Sequence, residues 1–156
     1  MDINDKIFWS IIGLIVTTAA KPVGALWKWY TERKTTRQAL LAEVQALVEI
    51  IRIRHYIDDL RQTALEIESN ETEESYSFCV TVADHYRAVY DANLARLGCL
   101  SPDQASKIVR FYQMIDSVIR DVSPGGPLYE STANASKFNE AANILENAVK
   151  VANELV

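Results

Sequence analysis

An uncharged run of fourteen residues, IFWSIIGLIVTTAA at positions 7–20, limits how this 156-residue chain can fold. As an α-helix the run is about 21 Å long, whereas the hydrocarbon core of a bilayer is about 30 Å thick. Extension to Trp27 gives a sufficient length and adds a single ionisable residue, Lys21. Lys21 lies near one end of the span, where its long side chain can carry the ammonium group to the lipid headgroups. The sequence therefore predicts a transmembrane helix over about residues 7–27.

Aromatic and basic residues flank the predicted transmembrane helix. Trp and Tyr concentrate at membrane interfaces, and Lys and Arg concentrate on the cytoplasmic side. All three tryptophans of the chain lie near the ends of this segment, and residues 1–37 contain six basic and three acidic side chains. We therefore expect a single-pass protein of the inner cell membrane, with the N-terminus outside and the C-terminal domain in the cytoplasm. The predicted interface residues are Trp9, Lys21, Trp27, Lys28, Trp29 and Tyr30.

Two other interpretations of residues 7–27 stay open. One is a buried hydrophobic hairpin within a globular domain. The other is a secretory signal peptide cleaved after position 20, because small residues that follow an apolar run are typical of cleavage sites. A signal peptide needs positive charge ahead of its apolar run, but here Asp2 and Asp5 offset Lys6. The basic residues downstream would also oppose translocation, so both features favour a spanning helix.

Small residues recur along one face of the predicted transmembrane helix at intervals of three and four. In lipid, such a stripe lets two helix backbones approach closely, and close packing then replaces the hydrophobic driving force. The same residues are common in spanning helices, so chance is the competing explanation. We expect a helix-packing seam and a homo-oligomer, with the seam formed by Ser10, Gly13, Thr17, Ala20 and Gly24.

Composition predicts helices for the rest of the chain. The sequence is 49% apolar and 24% charged and contains five Gly and four Pro residues, too few for a sheet protein with a turn roughly every 8–12 residues. Residues 36–69 contain neither Gly nor Pro and repeat apolar residues at 3-4 spacing, which predicts one long amphipathic helix. We expect an all-α fold in two parts, a membrane anchor with a basic flank over residues 1–35 and a cytoplasmic antiparallel helical bundle over residues 36–156.

The signals after position 69 are local. A polar acidic stretch at 70–77 predicts a loop, and the β-branched residues at 77–82 predict either an extended lead-in or the start of the helix that follows over 83–97. Gly98 then suits a left-handed helix cap. On the solvent side of the long helix, two charge pairs have the i, i+4 spacing of helical ion pairs: Arg54 with Asp58, and His55 with Asp59.

The clearest helix start in the chain is Ser101-Pro102-Asp103-Gln104. Ser is a favoured N-cap, Pro is favoured at the first helical position, and Gln three residues after the cap completes a capping box. The helix should end at the turn of residues 123–127, SPGGP. A last helix should begin near position 129 or 132 and continue to Leu155.

Residues 89–122 contain a further pattern, in which VY, AN and LG are followed by a leucine, a Pro-containing cap and VxFY. The pattern resembles that of small bacterial membrane-anchored helical proteins of unassigned function. The resemblance covers about a fifth of the chain. It implies a shared helical hairpin and a bacterial origin, and it implies no reaction and no ligand.

The sequence contains no recognisable catalytic or cofactor motif. His55 and His85 have no ligand at a zinc-like spacing, and the glycine-rich phosphate-binding and nucleophile-elbow motifs are absent. The apolar neighbours of Cys79 and Cys99 predict buried, unreactive thiols. Nucleic-acid binding is disfavoured because residues 38–156 hold ten basic and eighteen acidic side chains. We therefore predict no enzyme activity, no catalytic residue, no cofactor and no metal.

These observations favour a protein that works by association. The leading hypothesis is a membrane-anchored, self-associating scaffold or adaptor, whose acidic bundle docks a cytoplasmic protein partner while lipid surrounds the anchor. The alternative is a membrane-active effector, in which oligomers of the N-terminal helix permeabilise the bilayer. Lys21 and Lys28, seven residues apart, lie on one face of that helix.

Overall fold

A computed structural model describes residues 3–69, 76–131 and 134–155, with side chains described from Leu26 onward. Every regular element within these ranges is helical, which confirms the predicted all-α class. The described residues form five α-helices and one 3-10 helix: α1 (Ile3–Ile53), α2 (Tyr56–Ser69), α3 (Ala88–Asn93), the 3-10 helix (Leu94–Cys99), α4 (Pro102–Asp121) and α5 (Ala135–Asn153).

The first part of α1 includes the predicted transmembrane residues. Across the described part of the chain, no helix combines the length and apolar content needed to cross a bilayer. The side chains of Trp9, Lys21 and the predicted seam lie outside the described residues, as do those of most of the predicted span.

The predicted long helix over residues 36–69 is interrupted, so that prediction was wrong. The chain adopts a left-handed conformation at His55, with φ of 53°, and α2 starts at the next residue. This conformation costs a non-glycine residue roughly 1–2 kcal/mol. The change of direction lets α2 bury Leu60 and Ala64 against the bundle, which offsets the cost. At the break, the His55 Nδ1 lies 3.3 Å from an oxygen of Asp58, in place of the predicted pair with Asp59.

Helix α5 is central to the bundle and packs against α2 and, in the antiparallel direction, against α4. Arg61 of α2 contacts Asn143 and Glu146, and Lys107 near the start of α4 contacts Glu154 just beyond the end of α5. Five alanines of α5 are buried, and their small side chains let both neighbouring helices approach closely: Ala135, Ala141, Ala142, Ala148 and Ala152.

The predicted start of α4 is confirmed. The Ser101 side chain is the N-cap and accepts a hydrogen bond from the Gln104 amide at 3.3 Å, and Pro102 is the first helical residue. The left-handed cap at Gly98 was a wrong prediction. Gly98 instead lies within the 3-10 helix, which ends at Cys99 with the Leu100 amide bonded to the Leu97 carbonyl oxygen, and extended backbone at Leu100 leads directly into the cap at Ser101.

Candidate functional site

A cavity of about 360 Å³ lies between α1, α4 and the chain that precedes α3. We call it the apolar cavity. Of the nineteen residues that line it, only Glu43, Arg54 and Thr81 are neither apolar nor aromatic. A concave, mostly apolar site with a few polar groups is the usual form of a small-molecule site in proteins.

One wall of the apolar cavity is an extended segment, residues 76–83, without regular secondary structure. Its side chains alternate between half-buried and exposed, and the cavity is lined by the half-buried Phe78, Val80 and Val82. The Phe78 amide donates a hydrogen bond to the Leu128 carbonyl oxygen at 2.8 Å, which attaches the segment to the loop after α4. The predicted extended lead-in is therefore confirmed, although the helix that follows starts at Ala88 rather than near position 83.

Glu43 on α1 organises the polar end of the cavity. Its carboxylate accepts hydrogen bonds from the backbone amides of Val89 and Tyr90 at 2.8 and 2.9 Å, and from the Tyr112 hydroxyl at 2.6 Å. A carboxylate next to the first amides of a helix is favourable because these amides have no partner within the helix. Glu43 thus joins α1, α3 and α4.

Tyr112 is fully buried in this arrangement. Its ring stacks on Tyr90 with centroids 4.0 Å apart and meets the edge of Phe111 at 5.2 Å. Burial raises the pKa of the Tyr112 hydroxyl far above its ordinary value, and the hydrogen bond to Glu43 raises the pKa further. The Tyr112 hydroxyl therefore stays protonated at physiological pH and donates its hydrogen bond to Glu43.

A second polar cluster ties α3 to α4 beside the cavity. Asp116 accepts hydrogen bonds from the Tyr86 hydroxyl and the Arg87 guanidinium. Arg87 also contacts Asp91 at 3.3 Å. Burial and the hydrogen bond to Asp116 raise the pKa of Tyr86 to about 12.

The raised Tyr86 pKa predicts a loss of stability in alkali. The ordinary pKa is 10.0, so the unfolded chain ionises first, and the stabilisation is complete below pH 10. It should be lost as the pH rises from 10 towards about 12. We expect the free energy of unfolding, measured by denaturant titration, to fall over this pH range. Tyr86→Phe should make this fall with pH less steep. If the free energy of unfolding falls equally steeply with pH in both proteins, the raised pKa of Tyr86 is contradicted.

An exposed stretch of α1 joins the predicted anchor to the bundle. Leu26, Trp27, Trp29 and Tyr30 are 66%, 74%, 50% and 62% exposed. Lys28 lies 3.9 Å from Glu32, and the Arg33 guanidinium lies over the Trp29 ring, 5.6 Å from its centroid. We call residues 26–34 the aromatic-basic segment.

The structure describes four of the predicted interface residues, Trp27, Lys28, Trp29 and Tyr30, and brings them together in the aromatic-basic segment. The role of Glu43 and the apolar cavity were not predicted from the sequence. One signal was present, since Glu43 interrupts the wide apolar face formed by Leu40, Val44 and Leu47. A charged residue on such a face needs a partner, but the sequence does not show that the partners come from α3 and α4.

The two thiols are less buried than predicted, with Cys79 exposed and Cys99 half-buried. Within the ranges that the structure covers, no group of three His, Cys, Asp or Glu side chains is placed to hold a metal ion. Comparisons with protein-family models, with curated proteins and with solved structures found no match to this chain.

Proposed function

We propose that this protein is a membrane-anchored, self-associating helical adaptor, whose bundle presents a docking surface to a cytoplasmic protein partner. The aromatic-basic segment carries the proposal. Three large aromatic side chains within four residues are at least half exposed, and Lys28, Arg33 and Lys34 accompany them. Aromatic rings beside basic residues are typical of a helix that enters the headgroup region of a bilayer.

The continuity of α1 supports a rigid link between anchor and bundle. The first buried residue among the described side chains is Thr36, about 12 Å along the helix axis from Lys28. No loop separates the two residues, because α1 continues from Ile3 to Ile53. The adaptor would therefore hold its bundle close to the bilayer, at a fixed distance and orientation.

Self-association is tested by cross-linking the full chain in vesicles of phosphatidylethanolamine and phosphatidylglycerol. We expect dimers or larger species from the natural sequence. Gly13→Leu should abolish them because its side chain prevents close approach at the seam. Ile15→Leu, on the opposite helix face, is the matched control and should cross-link normally. Monomer from the natural sequence would contradict self-association.

The same vesicles test the alternative of a membrane-active effector. An adaptor should leave an encapsulated dye inside at protein levels that give full cross-linking. If the natural sequence releases the dye and Lys21→Ala does not, the adaptor hypothesis is contradicted and the effector hypothesis is supported.

A further inference from the structure

The apolar cavity has the size and chemistry of a site for a hydrocarbon chain. A protein cavity of about 150 Å³ holds one benzene molecule, so a volume of 360 Å³ accommodates roughly a dozen carbon atoms. Isoleucine, valine, leucine and aromatic residues make up fourteen of the nineteen residues of the lining. Such walls offer dispersion contacts and few hydrogen bonds, which suits a saturated chain better than a polar metabolite.

The opening of the cavity follows one stripe of α1. Ala46 and Ile50 of α1 line the cavity and are exposed to solvent, as is Arg54 in the turn directly after α1. The spacing of four residues, and the hydrogen bond from the Arg54 amide to the Ile50 carbonyl oxygen at 3.0 Å, place the three on one face. Across from this stripe, the extended segment is attached through the Phe78 amide and belongs to no sheet within the described residues. A ligand could therefore enter beside α1 without unfolding a helix.

The polar groups that line the cavity differ in whether they already have a partner. Glu43 and Tyr86 are already engaged, Glu43 with two amides and the Tyr112 hydroxyl, and Tyr86 with Asp116. The guanidinium of Arg54 forms no ion pair or side-chain hydrogen bond within the described part of the chain. The Arg54 backbone, directly after the end of α1, lies about 16 Å along the helix axis from that of Glu43. The cavity therefore has one available charge, a cation at its opening, far from the engaged carboxylate.

We propose that the apolar cavity binds a single acyl chain of an anionic amphiphile, and that Arg54 binds the anionic head group. A fatty acid and a single-chain phospholipid share this chemistry. The site lies in the bundle, so the proposal does not depend on membrane anchoring or self-association.

The test is isothermal titration calorimetry of the full chain with dodecanoate. The protein should be purified in digitonin, whose fused steroid rings are too large for the cavity. We expect saturable binding of one dodecanoate per chain. Ala46→Trp places an indole at the opening and should weaken binding by about tenfold or more, because it blocks access to the lining. Ala42→Trp, also exposed and one turn earlier on α1, is the matched control and should bind normally.

Arg54→Gln tests the head-group assignment without filling the cavity. It should weaken dodecanoate binding by about tenfold and leave dodecanol binding unchanged, because only the acid forms a charge-assisted hydrogen bond. Arg110→Gln, at an exposed position away from the cavity, should alter neither. Equal affinities for dodecanol and dodecanoate, both insensitive to Arg54→Gln, would overturn the role of Arg54.

Parallel titration with lauroyl lysophosphatidylglycerol distinguishes the two sources of the acyl chain. Preference for dodecanoate would identify a free fatty acid, and preference for the lysolipid would identify a membrane lipid. The site assignment is overturned if the natural sequence binds neither, or if Ala46→Trp and Ala42→Trp bind equally well. A third outcome also overturns the proposal: the natural sequence forms a dimer but does not bind dodecanoate, and Ala46→Trp prevents the dimer. That result would show that a second copy of the chain occupies the cavity.

Discussion

Glu43→Ala should lower the free energy of unfolding by about 3 kcal/mol or more. The substitution removes the acceptor of three hydrogen bonds, two from the amides of Val89 and Tyr90 and one from the buried Tyr112 hydroxyl. Each buried polar group left without a partner costs about 1–3 kcal/mol, and a hydrogen bond to a charged acceptor is stronger than a neutral one. Because these donors belong to α3 and α4, the loss should detach both from α1.

Denaturant unfolding followed by circular dichroism measures this effect. Glu49→Ala is the matched control, since Glu49 is an exposed residue of the same helix, and its effect should stay within about 0.5 kcal/mol. Glu43→Gln should have an intermediate effect because the amide keeps one acceptor oxygen and loses the charge. A loss below about 1 kcal/mol for Glu43→Ala would show that the carboxylate does not hold the three helices together.

Gly126→Ala should destabilise the protein by about 3 kcal/mol, in the upper part of the range for overpacking. A Cβ atom at this position would overlap the carbonyl oxygen of Arg120 and lie 2.7 Å from the carbonyl carbon of Asp121. Both atoms belong to the backbone of the last turn of α4, so neither can rotate away. The Asp121 carbonyl oxygen also accepts hydrogen bonds from Leu128 and Tyr129, and these would be strained as the turn moves.

Gly98→Ala is the control for Gly126→Ala. Its Cβ would have no neighbour within 4 Å, and its φ is not left-handed, so alanine should be neutral or slightly stabilising there. Thermal unfolding of the two variants checks the comparison. Equal melting temperatures would contradict the close packing of the turn after α4.

The local part of the fold was predictable from the sequence. The cap at Ser101 depends on residues within four positions of one another, so the sequence alone identified the start of α4. The turn at residues 123–127 was also identified, and the Gly126 amide bonds the Ser123 carbonyl oxygen at 2.8 Å. Such signals need no knowledge of the tertiary fold.

The break at His55 was not predictable from spacing. Apolar residues keep the 3-4 period on both sides of it, and the sequence there contains neither Gly nor Pro. The reason for the break is tertiary, because α2 must turn to pack against α5, where Arg61 reaches Asn143 and Glu146. The apolar cavity is a tertiary feature for the same reason, since residues from 43 to 145 line it. Periodicity within one helix cannot show what a distant helix contributes.

Membrane anchoring is the central claim, and extraction of the full chain from membranes with alkaline carbonate tests it most directly. Leu14→Arg provides the matched comparison, because an arginine near the middle of the span costs about 2.5–3.5 kcal/mol of insertion energy and should release the chain. The account predicts that the natural sequence stays in the membrane pellet while Leu14→Arg moves to the supernatant. Release of the natural sequence into the supernatant would contradict the account.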